Sequence, residues 1–485
     1  MAIMDQDREW KLLIGGEWVA GAGTYTITNP NTTEVVGQAP DASVAQAEDA
    51  AKAARDALPG WRDTPYEKRC ELMSTAADLL AERMPATAEL IQAETGATMK
   101  IASTIQISPV VDRFRYYSRP IDLSENLRPV PVGKSPLSDP GLMSATVNRN
   151  PVGVVTSITS YNFPCTNTAG KIAPAIAMGN TCVIKPAPQD PLAVLEMAGV
   201  LNEVFPPGVV NVVTGEGVEA SASLVESPLV DMVSFTGSTA VGTRIYEAGA
   251  ATMKRLLMEL GGKGALIMTE DADVGKAVAG IMTVWGFHSG QICTAPTRVI
   301  CHESIYDQTV EMLSQFSGFL KVGDARDDDT HVGPVITDVH RDRVEAFIKR
   351  GVDDGARLVI GGERPDLDGW FVAPTLLADC TPNMFVVQEE AFGPVVVVMK
   401  YADDDEAVEM ANASSYGLYS YVYSGDTARA YQIGRKIESG NVGLNVIQPH
   451  MEAPFGGYKM SGIGRDRGQA GLLAYSEIQS INWLS

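Results

Sequence analysis

Apolar positions follow two different periods along this chain, and the change of period divides it. From Ala42 to about Tyr117, segments such as "SVAQAEDAAKAARDAL" and "YEKRCELMSTAADLLAERM" repeat apolar residues at three- and four-residue spacing, which predicts helices. Ahead of them, "KLLIGGEWVA" and "TYTITNPNTTEVVGQAP" read as short strands joined by Gly and Asn-Pro turns. The stretch "LRPVPVGKSPLSDPGLMSATVNRNPVGVV" then breaks the helical pattern: it is proline-rich, then alternates, as an extended excursion from the main body would. Beyond it, continuous apolar runs alternate with helical segments. "PVGVVTSIT", "NTCVIKPA", "GVVNVVTG" and "MVSFTG" have the form of strands buried on both faces, with "AGKIAPAIAM" and "VEASASLVESP" helical between them. That alternation predicts a parallel sheet with crossover helices. A second such region runs from about Gly262 to Asn445 and includes "KGALIMT", "TRVICHESI", "ARLVIGG", "GPVVVVMKY" and "SYVYSG". Two α/β units imply a cleft between them, the usual place for a small ligand. The tail "LLAYSEIQSINWLS" alternates again and is expected to pair with the excursion as an oligomerisation flap.

Length and charge narrow the functional classes. The 485 residues suffice for two or three domains, and 45% hydrophobic with 20% charged residues is ordinary for a globular protein. A net charge of −22 argues against a nucleic-acid partner, which calls for a basic patch. No run approaches the eighteen or so apolar residues of a membrane span. "MAIMDQDREWKLLIGGEW" lacks the basic-then-apolar order of a signal peptide, so a cytoplasmic protein is the expectation. The cysteines are Cys70, Cys165, Cys182, Cys293, Cys301 and Cys380; none forms a C-x-x-C pair and there are only five histidines, so no metal site is expected. In a reducing compartment each cysteine is by default a small buried apolar residue. Cys293 stands apart, because "GFHSGQICTAP" sets it among small and polar residues after an apolar helix.

Other stretches carry chemistry only in combination. In "VSFTGSTAVG" a strand ending at Phe235 meets a turn framed by Gly237 and Gly242, which suits a pyrophosphate at a helix N-terminus or is simply a tight turn. In "MELGGKG", Glu259 precedes Gly261 and Gly262; it is either a carboxylate directed into a cleft or a solvated one. Asn162 in "YNFPCTNTAGK" is either an oxyanion donor or a turn asparagine.

In chain order "TSYNFP", "CVIKPA", "FTGSTAVG", "ELGGK", "GQICT", "EEAFGPV" and "PFGGYKMSGIGRD" together resemble the aldehyde dehydrogenase superfamily, and the resemblance extends from "LIGGEW" to "YSEIQSI". It implies an α/β protein of three parts. A Rossmann-like NAD(P)-binding domain takes residues 1–127 and 152–260, an α/β catalytic domain residues 261–465, and a β oligomerisation arm residues 128–151 and 466–485. A homodimer or homotetramer is implied. Cys293 matches the family's nucleophile, Asn162 the amide that with the Cys293 backbone N–H holds the oxyanion, and Glu259 the base that activates the hydrolytic water. Lys171 and Asp466 match positions that relay the proton, although the family more often has Glu where Asp466 stands. His288 is tempting as a base, but the family logic gives that role to Glu259.

The resemblance also implies a cofactor channel. Lys185 is expected on the adenine ribose, Phe235 and Val241 near the adenine with Gly217 beside it, and Ser238, after Gly237, on the pyrophosphate. Glu390 and Phe392 are expected on the nicotinamide ribose, with Leu260 beside the nicotinamide and Ile158, Thr159 and Ser160 lining the channel. Many NAD-preferring members carry Glu three residues after that lysine. Pro188 stands there, so NAD is expected with NADP possible. The substrate tunnel is expected at Ile105, Ser108, Pro109, Phe163, Gly170, Phe287, Thr294, His450 and Phe455. Gly170 leaves space where many relatives carry a bulky residue. With no Arg or Lys in that set, an apolar aliphatic or aromatic aldehyde is the expected substrate; Arg113 and Arg115 lie nearby in sequence. Two alternatives share the fold: a CoA-acylating semialdehyde dehydrogenase, which should lack Glu259, and a non-catalytic binding or structural member, which should lose Cys293 or Glu259.

Overall fold

A computed structural model describes residues 8–484. Ser485, the last residue assigned to the arm, lies outside them, as do the first seven residues of the stretch read for a signal peptide.

The helical N-terminal region forms as its period demands. Helix Val44–Arg62 opens on a reciprocal cap in which the Ser43 hydroxyl accepts from the Gln46 N–H and the Gln46 side chain accepts from the Ser43 N–H. Its Ala47, Ala50, Ala51 and Ala54 are fully buried, which lets the helix lie close against the sheet. Helices Tyr66–Arg83, Ala88–Thr95 and Ser108–Tyr117 follow. The two expected N-terminal hairpins form as well, Leu12–Ile14 with Glu17–Val19 and Gly23–Thr28 with Val35–Asp41. Gly15 and Gly16 supply the positive φ angles that the first turn requires.

The first large sheet has eight strands. Five are parallel and lie side by side in the order Val210–Val212, Thr181–Lys185, Val154–Ile158, Met232–Thr236 and Arg255–Glu259. Chain order reverses between Val154–Ile158 and Met232–Thr236. This is a topological switch point, and the crevice beyond the carboxyl ends of those strands is where such sheets bind nucleotides. The edges are covered by Leu12–Ile14 on one side and Gly462–Ile463 on the other, both antiparallel.

The second sheet has seven strands, with Arg298–His302 and Ala265–Met268 at its centre. All neighbours are parallel except Arg357–Ile360 at one edge. A third, three-stranded sheet pairs Ser476–Leu484 with Gly141–Pro151 and that strand with Ser124–Val132. Its strands begin at Ser124 and Ser476. The "LLA" of the tail is instead part of helix Gly468–Ala474, whose Leu472 packs with Tyr475 into the core of the first unit. Among the described residues no helix is long and apolar enough to cross a membrane.

Candidate active site

Cys293 sits on a loop that the sequence pins from several sides. Helix Val274–Gly286 ends at Phe287, and His288, Ser289 and Gly290 then take three successive left-handed conformations. The Ser289 hydroxyl donates to the Gly333 carbonyl, and the Gln291 side chain accepts from the Ile336 N–H. Tyr421 donates its hydroxyl to the Thr294 carbonyl at 2.7 Å. Gly262 is required because a Cβ there would collide with the Cys293 carbonyl oxygen. Five of the six cysteines are buried, and Cys293 alone is half-exposed. Burial, then the carboxylates of Glu390 and Glu259, push its thiol up to about 12; the Arg467 guanidinium acts in the opposite direction.

Asn162 follows strand Val154–Ile158 at the switch point and is 3% exposed. Its Nδ2 donates to the Gln291 carbonyl at 2.9 Å, two residues before Cys293. Its Oδ1 accepts from the Ser160 hydroxyl at 2.8 Å and from the Asn167 amide at 3.2 Å, while Gln106 holds its backbone carbonyl. The acceptor end of the amide is thus occupied, and the remaining N–H of Nδ2 is free to donate beside the Cys293 loop.

Glu259 ends its strand, 6% exposed, with neither carboxylate oxygen hydrogen-bonded. Burial first and the Asp466 charge second raise it well above the usual carboxylate range; Lys171, Arg467 and Arg465 pull it back. A Cβ on Gly456 would stand 2.9 Å from its Oε1, so that glycine keeps the space beside the carboxylate open. Lys171 is buried and its ammonium, lowered chiefly by burial, donates to the Ser234 hydroxyl, which bonds the Tyr475 hydroxyl at 2.8 Å. Asp466 pairs with Arg113 at 3.8 Å and accepts from the Arg467 N–H at 2.7 Å. His288 is buried against Phe163, its ring nitrogens unpartnered, and burial lowers it to about 4, too weak a base for neutral pH.

Several residues expected along the cofactor channel lie at the sheet's carboxyl ends. Ile158 ends one central strand with Thr159 and Ser160 just beyond it, and Phe235 lies near the end of the neighbouring strand with Gly237 just beyond. A Cβ on Gly237 would collide with the Phe235 ring, and one on Gly242 would stand 2.5 Å from Leu260. Ser238 caps helix Thr239–Gly249 through the Val241 N–H, with Val241 exposed on its first turn. Lys185 ends its strand and donates to the Pro186 and Gly215 carbonyls; burial lowers it to about 8. Pro188 is half-buried three residues on, and Gly217 is exposed in the loop after Val210–Val212. Glu390 accepts from the Gly262 N–H at 3.0 Å, and Phe392, at positive φ, sets its ring edge-on to Tyr161. An uncluttered helix N-terminus, a lysine and the strand ends of a switch point form a donor set that suits a dinucleotide.

With this arrangement in view, likeness to known proteins decides the family. The aldehyde dehydrogenase family model matches residues 18–481. The chain belongs to the aldehyde dehydrogenase family. It is 38% identical over 482 residues to the geranial dehydrogenase of Castellaniella defragrans, covering 97% of this chain and 98% of that protein. It is 37% identical to the mitochondrial aldehyde dehydrogenase of Leishmania tarentolae, covering 98% of this chain and 95% of that one. The betaine aldehyde dehydrogenase of Staphylococcus aureus, crystallised with NAD+, superposes with a TM-score of 0.93 at 35% identity, covering 98% of this chain and 95% of that one. Like those proteins, this aldehyde dehydrogenase is an α/β enzyme built on parallel-stranded sheets.

The expected tunnel residues fall into two groups. Phe163 and Phe287 meet in a tilted contact with ring centroids 6.0 Å apart, and Phe455 packs into the same apolar cluster as Cys293, whose neighbour is the half-buried Thr294. The space expected at Gly170 is filled, because the Arg113 guanidinium and the Asp466 carboxylate pack against it, 3.1 and 3.3 Å from where a Cβ would stand. Ile105, Ser108 and His450 are exposed, with Pro109 half-buried at the start of helix Ser108–Tyr117. Three groups at the site escaped the sequence reading. Ser234 and Tyr475 gave no local signal, because their link to Lys171 exists only in the fold. Arg467 had one, a second arginine in "GRDRG", and its guanidinium lies 4.3 Å over the Phe455 ring.

Proposed function

We propose that this aldehyde dehydrogenase oxidises an aldehyde to its carboxylic acid by covalent catalysis at Cys293, with NAD as preferred cofactor and NADP accepted less well. The single observation that carries this reading is the 2.9 Å bond from Asn162 to the Gln291 carbonyl, which anchors an amide donor beside the loop of the only half-exposed cysteine. The Cys293 thiolate adds to the carbonyl carbon, and the oxyanion that forms is held by Asn162 Nδ2–H and the Cys293 N–H. NAD, when bound, supplies the hydride acceptor that turns the thiohemiacetal into a thioester. Lys185, Ser238, Glu390 and Phe392 are the residues to hold it, with Ile158, Thr159, Ser160, Gly217, Phe235, Val241 and Leu260 along its channel. Glu259, unpartnered and raised by burial, takes the proton from the water that hydrolyses the thioester. Lys171 and Asp466, which both act on its charge, pass that proton outward.

The rings of Phe163, Phe287 and Phe455 support a substrate with an apolar body, aliphatic or aromatic. Residues 1–127 with 152–260, residues 261–465, and residues 128–151 with 466–485 serve as cofactor domain, catalytic domain and oligomerisation arm. The exposed Val130, Ile478, Ile481 and Trp483 of the arm support a homodimer or homotetramer. Buried, unpaired thiols fit a cytoplasmic enzyme. NADH fluorescence with a panel of aldehydes, with and without CoA, tests the reading. NADH should form without CoA and not at all in Cys293→Ala; a strict need for CoA would replace it with the acylating alternative, and silence with every aldehyde would leave a binding protein.

A further inference from the structure

Two guanidinium groups stand at the catalytic centre with less hydrogen bonding than burial demands. Arg113, on helix Ser108–Tyr117, is 9% exposed. Its ion pair with Asp466 spans 3.8 Å, well beyond the 2.7–2.9 Å or so of a charge-assisted hydrogen bond, and its Nε has no partner. Arg467 occupies a left-handed turn, φ 64°, immediately before helix Gly468–Ala474. That turn is tied to Phe455 by paired backbone hydrogen bonds between Phe455 and Asp466 of 2.8 and 2.6 Å. The guanidinium lies 4.3 Å over the Phe455 ring, and its buried Nε and Nη1 have no partner. Stacking on a ring face satisfies the charge but none of the N–H groups.

These groups pack directly on the helix that carries Lys171: a Cβ on Gly170 would stand 3.1 Å from Arg113 Cζ and 3.3 Å from Asp466 Oδ2, so only glycine lets the guanidinium and the carboxylate lie this close. Lys171 and Arg467 each feel the Arg113 charge and the carboxylates of Asp466 and Glu259, and Arg465 also acts on Glu259, so cationic groups crowd this corner. Glu259 accepts no hydrogen bond, so it does not serve either arginine. The unpartnered guanidinium nitrogens call for acceptor oxygens, and the guanidinium fork matches a carboxylate.

We propose that Arg113 and Arg467 form a carboxylate subsite beside Phe455, so that the favoured substrates are aldehydes with an apolar body and a carboxylate remote from the aldehyde. This rests on the reading of Cys293 as the nucleophile, and it adds the distal group that the apolar rings do not specify.

The test compares 4-carboxybenzaldehyde with its uncharged methyl ester, methyl 4-formylbenzoate, whose ring and aldehyde are closely similar. Wild type should show kcat/KM at least about tenfold higher for the acid. Arg467→Leu and Arg113→Leu should each lower that acid-to-ester ratio at least about tenfold, mostly through KM for the acid. Arg467→Lys should retain part of it. Should a leucine variant fail to fold, Arg467→Gln and Arg113→Gln carry the same expectation. A wild-type ratio at or below one overturns the proposal while leaving the dehydrogenase reading intact. An equal loss on both substrates in the arginine variants also overturns it, since the guanidinium would then act on the Cys293 centre rather than on the substrate. Oxidation of neither aldehyde by wild type overturns the dehydrogenase reading and this proposal together.

Discussion

In the proposed mechanism, replacing Asn162 with alanine removes the side-chain donor to the oxyanion. Its geometry separates the catalytic cost from the structural one. Of the two Nδ2 hydrogens, one is committed to the Gln291 carbonyl at 2.9 Å, and Oδ1 already accepts from Ser160 and Asn167. Only the other hydrogen is available to a developing negative charge. Losing one such donor costs about 10²–10³ in kcat, or roughly 2.7–4 kcal/mol of transition-state stabilisation. The Gln291 carbonyl also loses its side-chain partner, which costs stability of about 1–3 kcal/mol. That second cost is spread over the fold and registers as a lower Tm, whereas the first registers in turnover. Asn162→Asp gives a stricter comparison: it keeps the size but turns an acceptor toward both the Gln291 carbonyl and the oxyanion, so its kcat should be no higher than that of the alanine variant. The assay is NADH formation at saturating aldehyde, with iodoacetamide alkylation of Cys293 as a check that the thiol still reacts. A folded Asn162→Ala enzyme with kcat within about fivefold of wild type would refute the assignment.

Three further outcomes follow from the same geometry. Because burial, Glu390 and Glu259 hold the Cys293 thiol up at about 12, its alkylation without cofactor should still be accelerating above about pH 10.5, where an ordinary thiol of pKa about 8.5 has levelled off. Removing a negative neighbour in Glu390→Gln favours the thiolate, so alkylation at pH 8 should speed up, and a slower rate would mean that Glu390 is not felt at the sulfur. If Lys185 and Pro188 line the ribose end of the channel as proposed, Pro188→Glu should lower the ratio of NADP to NAD activity; an unchanged ratio counts against that placement. Ile478→Asp, on the exposed face of the arm, should reduce the molar mass measured by light scattering, while an unaltered mass would remove the arm from the interface.

Much of the fold was legible because strands buried on both faces leave continuous apolar runs. "TCVIK" and "VVTSI" are fully buried in the parallel sheet that their composition predicts. "GLLAYS" misled because a short apolar run does not distinguish the end of a helix from the start of a strand, and the turn between them follows from Tyr475 being buried in the core. At the candidate site, local surroundings combined in a family pattern singled out Cys293, Asn162 and Glu259, which the fold brings together. The Lys171–Ser234–Tyr475 chain was not, since its members lie 63 and 241 residues apart and meet only when the sheet and the tail helix pack. Arg113 drew notice only by its nearness in sequence and Arg467 only by the second arginine of "GRDRG"; that the two are enclosed shows only in the packing of Arg467 on Phe455 and of Arg113 on Gly170.

The most direct test of the central claim is pre-steady-state NADH formation by Glu259→Gln, followed by intact-mass analysis of the trapped enzyme. If Cys293 is the nucleophile and Glu259 acts only on the hydrolytic water, the first hydride transfer survives and the thioester accumulates. The trace should rise in a burst approaching about one NADH per active site, then continue slowly, with the acyl group on Cys293 and turnover partly restored by hydroxylamine. A variant with neither burst nor acyl-enzyme would place Glu259 before hydride transfer, and full wild-type turnover would remove it from the mechanism.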